Sequence, residues 1–170
     1  PDLARVGAGL PVAAYRDEIT TALHGGRAVI VAPPGTGKTT FVPPLVASRC
    51  SGRVIVTQPR RVAARAAARR LAALTGTRPG EFASHTVHGE STTTRDTKVE
   101  FVTTGVLLRR LLSDPDLTGV DAVVLDEVHE RHLDNRRRLN TTEKGRPPGT
   151  INGRRHRDNG QIIAQLSNFA

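Results

Sequence analysis

Residues 28–40 read AVIVAPPGTGKTT: four apolar residues, a Pro/Gly turn, then Gly37-Lys38-Thr39 opening what the pattern makes a helix. A buried strand delivers the chain to a tight loop. There Gly35 and Gly37 let backbone N–H groups turn toward one point, and the helix that follows adds its unsatisfied amino-terminal donors. Polyphosphate is the anion that fits such a cradle, so Gly35, Thr36, Gly37, Lys38, Thr39 and Thr40 are candidates to hold it. Lys38 would reach the β- and γ-phosphates as a point charge, and the Thr39 hydroxyl would ligate Mg²⁺. The usual pattern G-x-x-x-x-G-K-[ST] has Ala32 in its first position here, so the strand-loop-helix context carries the assignment. The competing reading is a plain Gly/Pro turn that happens to carry a lysine.

Length and composition bound the rest. A chain of 170 residues with 37% hydrophobic content can bury one ordinary core, which suits one α/β domain. The single Cys50 excludes an internal disulfide framework, and no apolar run approaches the roughly 20 residues that span a bilayer. Residues 1–27 lack the continuous apolar stretch of a secretory signal. These features anticipate a cytoplasmic protein with no membrane partner. The formal charge is +9, and its placement is uneven: residues 1–134 hold 17 basic and 14 acidic side chains, residues 135–170 hold 8 and 2. A basic balance suits nucleic acid and a solvated tail equally.

Strand and helix patterns alternate along the chain. An irregular lead-in is expected over residues 1–11, then an amphipathic helix over 12–23 ended by Gly25-Gly26. A helix over 39–48 follows the loop, with Pro43-Pro44 an awkward pair in its interior. The strand VIVT, 54–57, feeds an Ala/Arg helix that Gly76 stops. Arg61, Arg65 and Arg69 lie four apart on one face of that helix, a solvated basic stripe by its pattern, while Arg70 points the opposite way. A short strand near 86–88 and a better one over 99–103 precede an apolar helix at 106–112. The apolar strand 122–125 then ends in Asp126-Glu127. This alternation predicts a mostly parallel, doubly wound sheet with its ligands at the C-terminal ends of the strands. Beyond about Asn135 the periodicity collapses, apart from a short apolar stretch around 162–166, and a mostly disordered segment is expected.

A carboxylate pair at a strand end, downstream of a phosphate loop on a neighbouring strand, completes a nucleotide-hydrolysis pattern. Asp126 would hold Mg²⁺ through water, and Glu127 would orient and deprotonate an attacking water. Four motifs stand in order: APPGTGKTT (32–40), TQPRR (57–61), TTGVLLRRL (103–111) and DEVHER (126–131). Together they resemble the first RecA-like domain of DExH-box superfamily 2 ATP-dependent RNA helicases, the HrpB-type group above all, over roughly residues 8–134.

The resemblance implies a RecA-like P-loop NTPase domain over residues 1–134, incomplete at its C-terminal side, followed by the basic tail 135–170. It implies ATP and Mg²⁺ as cofactors. RNA, or DNA, would be gripped through its backbone by Arg60, Arg61, Thr103, Thr104 and Gly105. Arg70 matches the family's adenine-stacking arginine, and His129 the residue that couples the nucleotide site to a second RecA-like domain. That second domain and the family's Ser-Ala-Thr loop are expected to be missing, and with them the sheet strand after the DExH helix. The family also carries an Arg before the Gly-Glu pair where this chain has His88. Two functions remain open at this point: the ATP-binding and hydrolysing half of an RNA helicase, with little unwinding of its own, or an inactive fragment that only binds nucleotide and RNA.

Overall fold

The computed structural model describes residues 1–127 and 161–167. Strand β1 (Arg27–Val31) leads through the loop into helix α3 (Lys38–Ala47), and β2 (Arg53–Gln58) into α4 (Arg61–Thr75). The strands β3 (Ala83–Val87) and β4 (Glu90–Ser91) form a small hairpin. After β5 (Val99–Thr103) come α5 (Thr104–Ser113), β6 (Val120–Leu125) and β7 (Ile162–Ser167). The sheet order is β1-β7-β6-β2-β5-β3-β4, and every neighbouring pair is parallel except β3 with β4. The expected doubly wound α/β architecture is therefore present.

The lead-in is more ordered than its sequence suggests. Helix α1 (Leu3–Gly7) is capped by the Asp2 carboxylate, which accepts from the amides of Ala4 and Arg5, and it buries Leu3 and Val6 against the core. The helix expected over 12–23 divides into a 3₁₀ turn (Pro11–Tyr15) and helix α2 (Arg16–Leu23). Pro11 opens that turn, and the Val12 amide donates to the Thr36 carbonyl, bracing the phosphate loop from outside.

Helix α3 keeps Pro43 and Pro44 in its interior. Each proline removes one main-chain donor. Burial offsets that loss, because α3 is enclosed nearly all round: Phe41, Val42, Leu45 and Val46 are all at most 2% exposed. Helix α4 lays Ala64, Ala68, Leu71 and Ala72 on the same core at helical spacing, and Gly76 ends it in the left-handed conformation, φ 69°. On the opposite side of the sheet, α5 covers Ile55 and Val102 with Leu107.

The C-terminal expectation needs correction. Residues 162–167 are an interior strand, paired with β6 on one side and with β1 on the other. The strand thought to be missing from the sheet is thus filled by β7. Alternation explains it: Ala164 and Leu166 enter the core face, and both edges of the strand find backbone partners. Averaged with its polar neighbours, a six-residue strand was submerged in the composition of the tail.

Candidate nucleotide site and nucleic-acid interface

Leu10, Pro34, Gly35, Gly37, Lys38, Thr39, Thr40, Arg70, Asp126 and Glu127 line one cleft of about 290 Å³ at the C-terminal ends of β1 and β6. Gly37 caps α3 with φ 90°, and a β-carbon on it would stand 2.9 Å from the Leu10 side chain. The position therefore requires glycine twice over, by conformation and by space. Gly35 also takes a positive φ, 78°. Thr36 closes the turn by donating its hydroxyl to the Pro33 carbonyl, 2.9 Å away.

Lys38 is 6% exposed and donates two of its three ammonium hydrogens, to the carbonyls of Ala32 (2.6 Å) and Pro33 (2.9 Å). Burial lowers its pKa, and the charge of Asp126 partly opposes that shift. Across the cleft the Thr39 hydroxyl donates to Asp126 Oδ2 at 2.5 Å, joining positions 87 residues apart. The same oxygen accepts from Gln58 Nε2 at 2.6 Å, while Oδ1 accepts the Glu127 amide at 3.0 Å. The Asp126 amide in turn donates to Thr57 Oγ1. Glu127 is exposed and takes φ 50°, a left-handed backbone that is uncommon for a non-glycine residue and recurs at functional sites.

The donor set fits Mg²⁺. Asp126 and Glu127 supply hard carboxylate oxygens, and a Thr39 hydroxyl that donates its hydrogen to Asp126 retains lone pairs for a cation. A group of three or more His, Cys, Asp or Glu side chains that could cage a metal is absent among the described residues. Arg70 lies in the same cleft as the loop, whereas His129 lies outside the described residues.

The proposed nucleic-acid residues leave the same rim of the sheet. Gln58, the last residue of β2, is the register partner of Thr103, the last of β5, so the loops that follow emerge side by side. Arg60, Arg61, Thr104 and Gly105 are exposed there, and Thr103 is half-buried. Arg61 donates to the His88 carbonyl at 2.9 Å, a main-chain contact at the position where the family pattern has arginine. The basic stripe on α4 is only partly solvated: Arg65 pairs with Glu90, which also accepts from His85 Nε2 at 2.8 Å. These two partners hold the Glu90 carboxyl at about 2. Motif reading gave no role to Leu10, which lines the cleft from the lead-in, or to Thr57 and Gln58, which hold Asp126 and lie within the TQPRR stretch beside Arg60 and Arg61.

At the other end of β5, Glu100 is fully buried. Arg110 grips both of its oxygens at 2.8 and 2.6 Å, Arg53 reaches Oε2 at 3.4 Å, and Thr86 and Thr93 donate hydroxyls. Burial favours its neutral form, but these donors outweigh it and keep the carboxyl below its ordinary range.

The sequence profile of the DEAD/DEAH box helicase family matches residues 15–145. ATP-dependent RNA helicase HrpB of Escherichia coli is 42% identical over 127 residues, covering 73% of this chain and 16% of that protein. Probable ATP-dependent RNA helicase DHX34 of Homo sapiens is 37% identical over 134 residues, covering 78% of this chain and 12% of that one. The crystal structure of the Escherichia coli DEAH/RHA helicase HrpB superposes with a TM-score of 0.77 at 32% identity, over 95% of this chain and 20% of that chain. The chain thus spans less than a fifth of the length of these HrpB and DHX34 sequences.

Proposed function

Since this chain belongs to the DEAD/DEAH box helicase family, we propose that it is the ATP-binding half-site of an ATP-dependent RNA helicase, able to bind Mg·ATP and RNA and, as the 170-residue chain, slow to hydrolyse. The observation that carries the reading is the Thr39–Asp126 hydrogen bond, which brings the phosphate loop and the carboxylate strand into one cleft with Lys38.

The roles implied by the sequence patterns and the family resemblance are compatible with these positions. The amides of 35–38 and the amino terminus of α3 cradle the phosphates, and Lys38 exchanges its loop carbonyls for phosphate oxygens. Thr39 and Asp126 would hold Mg²⁺, which would offset charge on the phosphate oxygens. Glu127 orients the attacking water and takes its proton. Arg70, on the cleft wall, stacks on the base. Arg60, Arg61, Thr103, Thr104 and Gly105 grip the RNA backbone without reading its sequence.

Weak turnover belongs to the same reading. Among the described residues the only guanidinium lining the cleft is Arg70, which is assigned to the base. An arginine aimed at the transferring phosphate is worth about 10³ to 10⁵ in rate in related enzymes. The test is ATP turnover by the 170-residue chain with and without RNA, beside binding of a fluorescent ADP. Binding that Lys38→Ala weakens by about 10- to 100-fold, with turnover barely stimulated by RNA, is the expected result. Turnover at the rate of a whole helicase, lost in Lys38→Ala, would sink the weak-turnover part.

A further inference from the structure

Two buried carboxylates in this molecule are held in opposite ways. Glu100 meets guanidiniums, so its charge is already neutralised inside the fold. Asp126 Oδ2 receives two donors that carry no charge, the Thr39 hydroxyl and the Gln58 side-chain amide. Neutral donors fix the orientation of a carboxylate while leaving its negative charge for a cation. The Gln58 side chain is 3% exposed, and its single hydrogen bond to Asp126 at 2.6 Å spans 68 residues of sequence. Its backbone is the last position of β2, in register with Thr103 and directly ahead of Pro59-Arg60-Arg61. A shift of that strand end on binding a polynucleotide would move the amide that orients Asp126.

We propose that Gln58 is a positioning residue that sets the Asp126 carboxylate for Mg²⁺ and ties it to the strand end that carries the polynucleotide grip. The proposal rests on the function argued above and adds the link between its two sites. Coupling of this kind is reciprocal, so RNA that tightens the metal site is itself held more tightly when the metal and nucleotide are bound.

The experiment reads the Mg²⁺ midpoint for binding of a fluorescent ADP by the 170-residue chain, alone and with a saturating uridine 20-mer whose binding is followed by anisotropy. Gln58→Met keeps length and volume but removes the donor, and Gln58→Asn keeps the amide but withdraws it by one methylene. Either variant should raise the Mg²⁺ midpoint about tenfold, leave ADP binding in EDTA unchanged, and erase the shift that the oligonucleotide produces in the unaltered chain. A purely structural role would lower the melting temperature and leave the metal midpoint in place. An unmoved midpoint in a folded variant, an oligonucleotide shift that survives the substitution, or no such shift in the unaltered chain overturns the proposal. Undiminished ADP binding in Lys38→Ala, or no oligonucleotide binding at all, would instead strike the underlying function.

Discussion

The cleft proposed for nucleotide and the rim proposed for polynucleotide share one edge of the sheet, yet they are built differently. The cleft draws Leu10, loop residues 35 and 37–40, Arg70 and Asp126 from distant parts of the chain, and hydrogen bonds from Thr39 and Gln58 lock its central carboxylate. The rim consists of the exposed residues that follow the strand ends, with Arg61 tied back to the His88 carbonyl. Recognition of a polyphosphate with its metal demands fixed geometry, so its groups are buried and mutually positioned. A sequence-independent grip on a phosphodiester backbone demands charge at the surface, which exposed arginines provide without burial. The difference teaches which mutations should spread through the fold and which should stay local.

Truncation after Asp134 should have the largest effect. It removes β7, which separates β1 from β6 and so detaches the phosphate loop from the Asp126 strand. Loss of the cooperative thermal transition in circular dichroism is expected; a truncated chain that melts like the full one would break the comparison at its root. Glu100→Gln comes next, since it leaves two guanidiniums around a fully buried site. The cost should be about 3 kcal/mol in urea unfolding, at the low end because both arginines keep contact with water.

Lys38→Ala should weaken nucleotide binding by about 10- to 100-fold, the worth of charge-assisted hydrogen bonds, while leaving affinity for RNA unaltered. The double change Arg60→Ala with Arg61→Ala should do the reverse. Its signature is a salt dependence of RNA binding flattened by about 1.4 in slope for two lost single-strand phosphate contacts; an unaltered slope would move the grip elsewhere. The smallest effect concerns Arg65→Ala. Glu90 is held at about 2 against an ordinary 4.5, so the stability that it contributes is present above about 4.5 and is lost as pH falls toward 2. Glu100 runs in the same direction. Arg65→Ala should therefore lower the melting temperature slightly at pH 7, leave it unaltered near pH 2, and so make its decline with falling pH shallower.

Much of this architecture is legible in the residues themselves. GTGKTT behind an apolar strand, DE behind another, and the regular alternation of strands with helices are local patterns, each carried by neighbours in sequence. Lys38, Thr39, Asp126 and Glu127 are separate expectations from such patterns, Arg70 one that the family resemblance implies, and the structure brings them into one cleft. The misreadings have physical causes. Residues 3–7 form a helix too short to show a period, made by the Asp2 cap and by burial of Leu3 and Val6. The helix expected over 39–48 is present, and its Pro43-Pro44 pair is tolerated because α3 is enclosed by the core.

The sequence by itself determined the phosphate loop, the carboxylate pair, the α/β class and the family, because those depend on residue type and spacing within a dozen positions. Only the tertiary structure decided that residues 162–167 are an interior strand and that Gln58 and Thr39 share one oxygen of Asp126. Both facts come from strand order: the pairing of β7 and the reach from residue 58 to residue 126 exist only once β2, β6 and β7 lie side by side, and adjacency in a parallel sheet is set by the whole core rather than by any one segment.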